Sequence, residues 1–145
     1  RIFEKEAVRI GGGHNHRFAL YDMIMIKDNH IDYAGGIDQA LTKTNSYLKS
    51  VGKDLNIEIE VRDFNELGQA LNHGGFDRVM LDNFTPKELS KALKIIDNKF
   101  ETEASGGITE ETIRDYAETG VDYISMGLLT HQVKSLDLSL KAINV

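Results

Sequence analysis

The residues of this chain best suited to chemistry stand in six short groups strung along the sequence. The first is Gly11-Gly12-Gly13-His14-Asn15-His16-Arg17, followed ten residues after Arg17 by Lys27 in Ile26-Lys27-Asp28-Asn29-His30. A glycine triplet lets the backbone turn sharply and approach a ligand closely. His16, Arg17 and Lys27 converging on one loop system would suit a small substrate carrying several carboxylates or phosphates. The alternative is a flexible surface loop with incidental basic residues. Next come Glu60 and Asp82, each closing a short apolar run. Such a carboxylate pair can bind ribose hydroxyls, hold Mg²⁺ indirectly through a diphosphate, or serve as acid and base. Salt bridges to Lys27 or Arg17, or a capping role for Asp82, are the structural alternatives.

Last come two glycine turns, Ser105-Gly106-Gly107-Ile108-Thr109 and Ser125-Met126-Gly127, with His131 just beyond. A hydroxyl and open backbone N–H groups between a strand end and a helix start, with the helix dipole behind them, make an anion site suited to phosphate. A tight turn of purely structural purpose is the competing account, and the second glycine turn one strand later weakens it. His14, His30, His73 and His131 lack the spacing of a zinc site, and no direct metal ligand is assigned. His131 could reach a phosphate beside Gly127, or be a surface histidine.

These groups need elements to position them. Met23–Ile26, Ile57–Val61, Val79–Leu81, Phe100–Ala104 and Tyr123–Met126 are short, apolar and partly β-branched or aromatic, which predicts strands. Leu136–Ile143 is a sixth candidate. Between them, apolar residues recur at helical spacing: Ile37, Ala40 and Leu41; Phe64, Leu67, Ala70 and Leu71; Leu89, Ala92, Leu93 and Ile96; Ile113, Tyr116 and Ala117. Thr85-Pro86-Lys87-Glu88 has the make-up of a capping box with proline at the first helical position. Gly74 and Gly120 fall where helices should stop.

Repeated β-α units imply parallel strands joined by right-handed crossovers, in an open doubly wound sheet or a (β/α) barrel. Lys27, Glu60, Asp82, Ser105 and Gly127 each stand at the carboxyl end of a different strand, which is the barrel pattern. A full barrel takes about 250 residues, so the expectation is an α/β chain forming a partial TIM-like barrel as one domain fragment over residues 1–145. The unclosed edge should favour association or disorder near Arg1–Gly13.

Alternation along the strands puts Glu101, Glu103 and Ser105 on one face, and Glu58 with Glu60 likewise. Acidic groups inside a barrel are costly unless paired or placed at the open mouth. Glu58 and Glu101 are therefore expected to be solvated at the bottom rim. Glu103 is expected to point inward and pair with Lys27 or another cation at the mouth.

Composition narrows the field. The 145 residues, 41% apolar and 28% charged, are ordinary for a globular chain with a real core. The absence of cysteine excludes disulfides and thiolate metal sites, and is compatible with a cytoplasmic location. A net charge of -6 argues against non-specific nucleic-acid binding, and no apolar run reaches membrane-spanning length or reads as a signal peptide. The start at Arg1 rather than Met fits a processed product or a piece of a longer protein.

Taken together, the glycine triplet with His16-Arg17, Lys27-Asp28-Asn29-His30, Glu58-Ile59-Glu60-Val61, Met80-Leu81-Asp82-Asn83, Ala104-Ser105-Gly106-Gly107 and Gly127-Leu128-Leu129-Thr130-His131 resemble the quinolinate phosphoribosyltransferase family. The resemblance runs in order over essentially the whole chain. It implies the C-terminal barrel domain of a longer enzyme, without its first barrel strand and N-terminal domain. It further implies transfer of a phosphoribosyl group from phosphoribosyl pyrophosphate to quinolinate with decarboxylation, a step of NAD biosynthesis carried out by a homodimer or larger homo-oligomer. His16, Arg17 and Lys27 would bind the quinolinate carboxylates. Glu60 and Asp82 would bind the ribose hydroxyls and help place Mg²⁺. Ser105, Gly106, Gly107, Gly127 and His131 would hold the 5′-phosphate, and Lys27, Glu60 and Asp82 would be the catalytic group. The basic residues of the family's first strand and an arginine lent by a neighbouring subunit have no counterpart here, so these residues alone should turn over little. The rival expectations are a related phosphoribosyltransferase or molybdenum-uptake paralogue with another substrate, and a non-catalytic barrel binding a phosphate ligand.

Overall fold

A computed structural model describes residues 1–131 and 137–143. In chain order the elements are α1 (Ile2–Ile10), β1 (Ile24–Ile26), α2 (Asp28–Ala34), α3 (Ile37–Val51), β2 (Ile57–Val61), α4 (Phe64–His73), β3 (Arg78–Asp82), α5 (Pro86–Ile96), β4 (Glu101–Ser105), α6 (Ile113–Ala117), β5 (Tyr123–Ile124) and α7 (Leu128–His131). The five strands form one parallel sheet in the order β1-β2-β3-β4-β5. Each strand pairs with the next in sequence and the order never reverses, so there is no switch point; the sheet steps round as a barrel wall does.

The two faces of the sheet differ in chemistry. Ile26, Ile59, Val61, Val79, Leu81 and Ala104 point to the helices and form one core with Leu41, Leu67, Leu89 and Ile96, all buried. The opposite face carries Met25, Glu58, Arg78 and Glu101 in one row, linked strand to strand by the register. The row above runs through Glu60, Met80, Glu103 and Tyr123. Asp82 and Ser105 pair in the row above that, at the carboxyl edge.

Local signals explain most boundaries. Thr85 accepts a hydrogen bond from the Glu88 N–H and Glu88 reaches back to the Thr85 N–H at 2.9 Å, with Pro86 opening α5. Asp63 caps α4 by accepting from the Glu66 N–H at 2.8 Å, and Gly74 ends it at φ +64. At the amino edge of the sheet, Asp77 accepts from the Ile57 N–H at 2.7 Å, and Asp122 accepts from the Thr102 N–H at 2.9 Å. One carboxylate thus satisfies an otherwise open N–H at the start of the neighbouring strand in each case.

Several expectations change. Residues 137–143 form no strand, and Leu138, Leu140 and Ile143 stand exposed; Leu136 lies outside the described residues. α6 ends at Ala117, and Gly120 closes a further turn at φ +86 rather than the helix itself. Of the association or disorder expected near Arg1–Gly13, disorder is not what the segment shows: it contains α1, a helix with no buried residue. The short helices α2 and α7 had no clear apolar stripe to announce them.

Candidate active site

Lys27, Glu60, Asp82, Ser105 and Gly127 all lie at the carboxyl end of the sheet, on or just beyond five successive parallel strands. Lys27 follows β1 directly, and its Nζ is 3.5 Å from Glu60 Oε2. The Lys27 N–H donates to Nδ1 of His30 at 2.9 Å, so His30 helps cap α2 and fixes the backbone that presents the lysine. Glu60 is almost fully buried. Burial holds its carboxyl above the usual carboxylate range; Lys27 opposes this, and the like charge of Asp82 reinforces it. Asp82 sits one pleat higher, opposite Ser105, and accepts from the Asn83 side chain at 2.7 Å.

The glycine turns meet as expected. Ser105, Gly106, Gly107, Ser125, Gly127 and His131 line one cavity of about 530 Å³, together with Ile108, Thr109 and Leu128. Gly106 and Gly107 both adopt positive φ, +97° and +62°, a pairing that only glycine makes readily. The helix dipole expected behind this turn is not there, because α6 begins only at Ile113 and has five residues. The polar character of this loop therefore rests on its backbone and on Ser105 and Ser125.

The three early cations do not converge. His16 reaches below the mouth into the sheet face, with Nε2 at 2.6 Å from Glu58 Oε2 and 3.5 Å from Glu103 Oε2. The Arg17 guanidinium instead donates to the Met23 carbonyl at 3.4 Å, just before β1 and thus at the amino end of the sheet, away from Lys27. Loop residues 11–22 have no strand register to aim their side chains, so the sequence could not separate these destinations.

The interior acids also depart from expectation. Glu58 is wholly buried instead of solvated, whereas Glu101 is half exposed at the rim as foreseen. Glu103 points inward and pairs with cations as expected; these are His16 and Arg78, below the mouth, and Arg78 lies 3.4 Å from Glu103 and 2.8 Å from Glu101. The Arg78 guanidinium stacks over the Tyr123 ring at 4.1 Å, and Ser125 donates to Glu103. Burial and the neighbouring Glu58 raise the Glu103 carboxyl above its ordinary range. Arg78 was missed by sequence reading, and Ser125 and Asn83 were named only as parts of motifs, without a role of their own. The signal for Arg78 was present: it stands two and four residues before Met80 and Asp82, hence on the face that carries the site.

A parallel, sequentially ordered sheet with carboxylates, a lysine and paired glycine turns gathered at its carboxyl end defines a partial (β/α)-barrel domain. A family model described as quinolinate phosphoribosyl transferase, C-terminal domain, matches residues 1–141, and the chain belongs to that family. It is 44% identical over 155 aligned positions to the chloroplastic carboxylating nicotinate-nucleotide pyrophosphorylase of Arabidopsis thaliana, covering 97% of this chain and 44% of that protein. The decarboxylating quinolinate phosphoribosyltransferase 1b of Nicotiana tabacum gives the same figures, 44% identity with 97% and 44% covered. Among solved structures, NadC from Streptococcus pyogenes superposes with a TM-score of 0.88 at 40% identity, over 97% of this chain and 48% of that one. The chain thus spans a little under half the length of the relatives it matches.

Proposed function

We propose that the protein carrying this chain transfers a phosphoribosyl group from phosphoribosyl pyrophosphate to quinolinate and decarboxylates the adduct, yielding nicotinate mononucleotide, pyrophosphate and CO₂. Family membership supports this reading, and the single observation that carries it is the order of groups around the mouth. Lys27 stands just after β1, Glu60 and Asp82 on the next two strands, and the Ser105–Gly107 and Gly127 turns follow the last two. Read across the sheet, this gives a cation for a carboxylate, acids for ribose hydroxyls, then a polar cradle for the 5′-phosphate.

In the reaction, the bond from ribose C1 to the pyrophosphate oxygen breaks as positive charge develops on the ribose. The quinolinate nitrogen then bonds to C1. The carboxylate beside that nitrogen leaves as CO₂, its electron pair is stabilised by the pyridinium, and the ring carbon takes up a proton. The protein's share is positioning and electrostatics. Glu60 and Asp82 lie where they can hold the ribose and favour the developing positive charge. Lys27 keeps a carboxylate in place. Glu60 and Asp82 offer only oxygen donors, which fit Mg²⁺ entering with the diphosphate. Bound there, Mg²⁺ would neutralise charge on the leaving pyrophosphate.

The same reading treats residues 1–145 as one C-terminal barrel-domain fragment of a homodimeric or larger cytoplasmic enzyme acting on small molecules, not nucleic acid. Among the described residues no helix is long and apolar enough to cross a membrane. The test is quinolinate-dependent release of pyrophosphate from phosphoribosyl pyrophosphate with Mg²⁺. The chain extended to the length of its relatives should turn over. These 145 residues alone should bind phosphate ligands weakly and release little pyrophosphate. Equal rates would show that the cations expected from elsewhere in the protein are dispensable, and no turnover by the extended protein would refute the reading.

A further inference from the structure

We propose that Glu58 and Glu103, with Arg78 beside them, are positioning residues that grip the Nε2 edge of His16 and turn the rest of its ring toward a ligand carboxylate at the mouth. This rests on the function proposed above, since it assigns the ligand group that the ring meets. Glu58 has no exposure, Glu103 has almost none, and both face the site side of the sheet. Nε2 of His16 is itself buried, while the side chain as a whole keeps 27% of its surface open, so its accessible part excludes the Nε2 edge.

Among the described residues neither Glu58 oxygen accepts a well-directed hydrogen bond, although His16 Nε2 lies only 2.6 Å away. A wholly buried carboxylate without directed donors is costly unless a cation stands against it. Arg78 makes its salt bridges with Glu101 and Glu103 and acts on Glu58 only at longer range, so the close cationic contact of Glu58 is His16. Glu58, Glu101 and Glu103 then face one guanidinium and one imidazole, so the carboxylates outnumber the cations even when the imidazole is positively charged, and the charged ring is favoured. The Glu58 contact holds His16 above the ordinary histidine range; burial opposes it, Glu103 adds to it and Arg78 subtracts.

The ligand-type atoms of His16, Glu58 and Glu103 lie within 4.8 Å of one another, a spacing that a metal ion could use. The guanidinium of Arg78, 3.4 Å from Glu103, disfavours a divalent ion at that spot. The observations favour the imidazolium.

The experiment uses the extended protein. Ring ¹⁵N NMR of His16 in the ligand-free state should show a titration midpoint above the ordinary value, unmoved by added Zn²⁺, and lowered in Glu58→Gln. Kinetically, Glu58→Gln should raise KM for quinolinate at least tenfold at pH 8 and less than threefold at pH 6, with KM for phosphoribosyl pyrophosphate within twofold. Glu58→Asp should recover part of the loss. An ordinary wild-type midpoint, a midpoint moved by Zn²⁺, or equal rises in both KM values at both pH values would overturn the proposal. If Glu58→Gln fails to fold, the wild-type titration and the same measurements on Glu103→Gln decide. If the extended protein has no quinolinate turnover, the function fails while the NMR titration still tests the grip on His16.

Discussion

Asn83 fills the space that a side chain at Gly106 would need. A Cβ there would lie 2.7 Å from Asn83 Cγ and 2.8 Å from its backbone nitrogen. Asn83 holds a left-handed φ of +56°, donates its N–H to the Ser105 carbonyl at 2.8 Å, and donates from its side chain to Asp82 at 2.7 Å. The residue after the second carboxylate therefore locks that carboxylate to the glycine turn on the next strand.

Gly106→Ala should be costly for two reasons that add: the left-handed backbone and the collision with Asn83. Together they should destabilise the fold by about 2–3 kcal/mol. Gly127→Ala meets only the edge of His131 at 3.3 Å and has no positive φ, so its cost should stay under about 1 kcal/mol. Urea denaturation of the two variants checks the contrast; equal losses would mean that the Asn83 contact yields freely.

Glu60→Gln should separate stability from function. Burial already disfavours the Glu60 charge, and its Lys27 partner is half exposed at 3.5 Å, so removing the charge should change stability by no more than about 1 kcal/mol in either direction. Binding of phosphoribosyl pyrophosphate should weaken tenfold or more if Glu60 holds the ribose. Calorimetric titration beside a melting curve reads both; unchanged affinity would remove Glu60 from the ligand site.

The carboxylates at the amino edge should matter to folding alone. Asp122→Ala leaves the Thr102 N–H and hydroxyl without their acceptor, and Asp77→Ala does the same to the Ile57 N–H. Each should cost about 1–3 kcal/mol while leaving ligand affinity unchanged, since both lie at the end of the sheet away from the mouth. A loss of affinity larger than the loss of stability would contradict this placement.

Stability should fall as the solution becomes more alkaline. The fold holds His16 above its ordinary value of 6.5, so the folded state prefers the protonated ring. That contribution is fully present below about pH 6.5 and is lost as pH rises through the raised value. Glu60 and Glu103, raised above 4.5 by burial, act with the same sign at lower pH: protonated they favour the fold, and ionising them costs. Denaturation midpoints of the wild type should decline above pH 6.5, and His16→Asn should flatten that part of the curve. An unchanged slope in His16→Asn would show that another group is responsible.

Short apolar, β-branched runs and helical spacing determined the five strands, the helices α3 to α6, the parallel order and the ring of Lys27, Glu60, Asp82, Ser105 and Gly127, because strand geometry alone places consecutive strand ends at one edge of a parallel sheet. The capping box at Thr85 and the stop at Gly74 were legible for the same local reason: both are settled by neighbours within a few residues. Only the tertiary structure decided the rest. His16 and Arg17 are adjacent in a loop without register, and their different partners, Glu58 and the Met23 carbonyl, are groups that folding brings to them. The burial of Glu58 depends on two cations, His16 from a loop and Arg78 from the neighbouring strand, that folding brings to it. Alternation names the face a residue points to, but the charge it meets there is fixed by long-range packing.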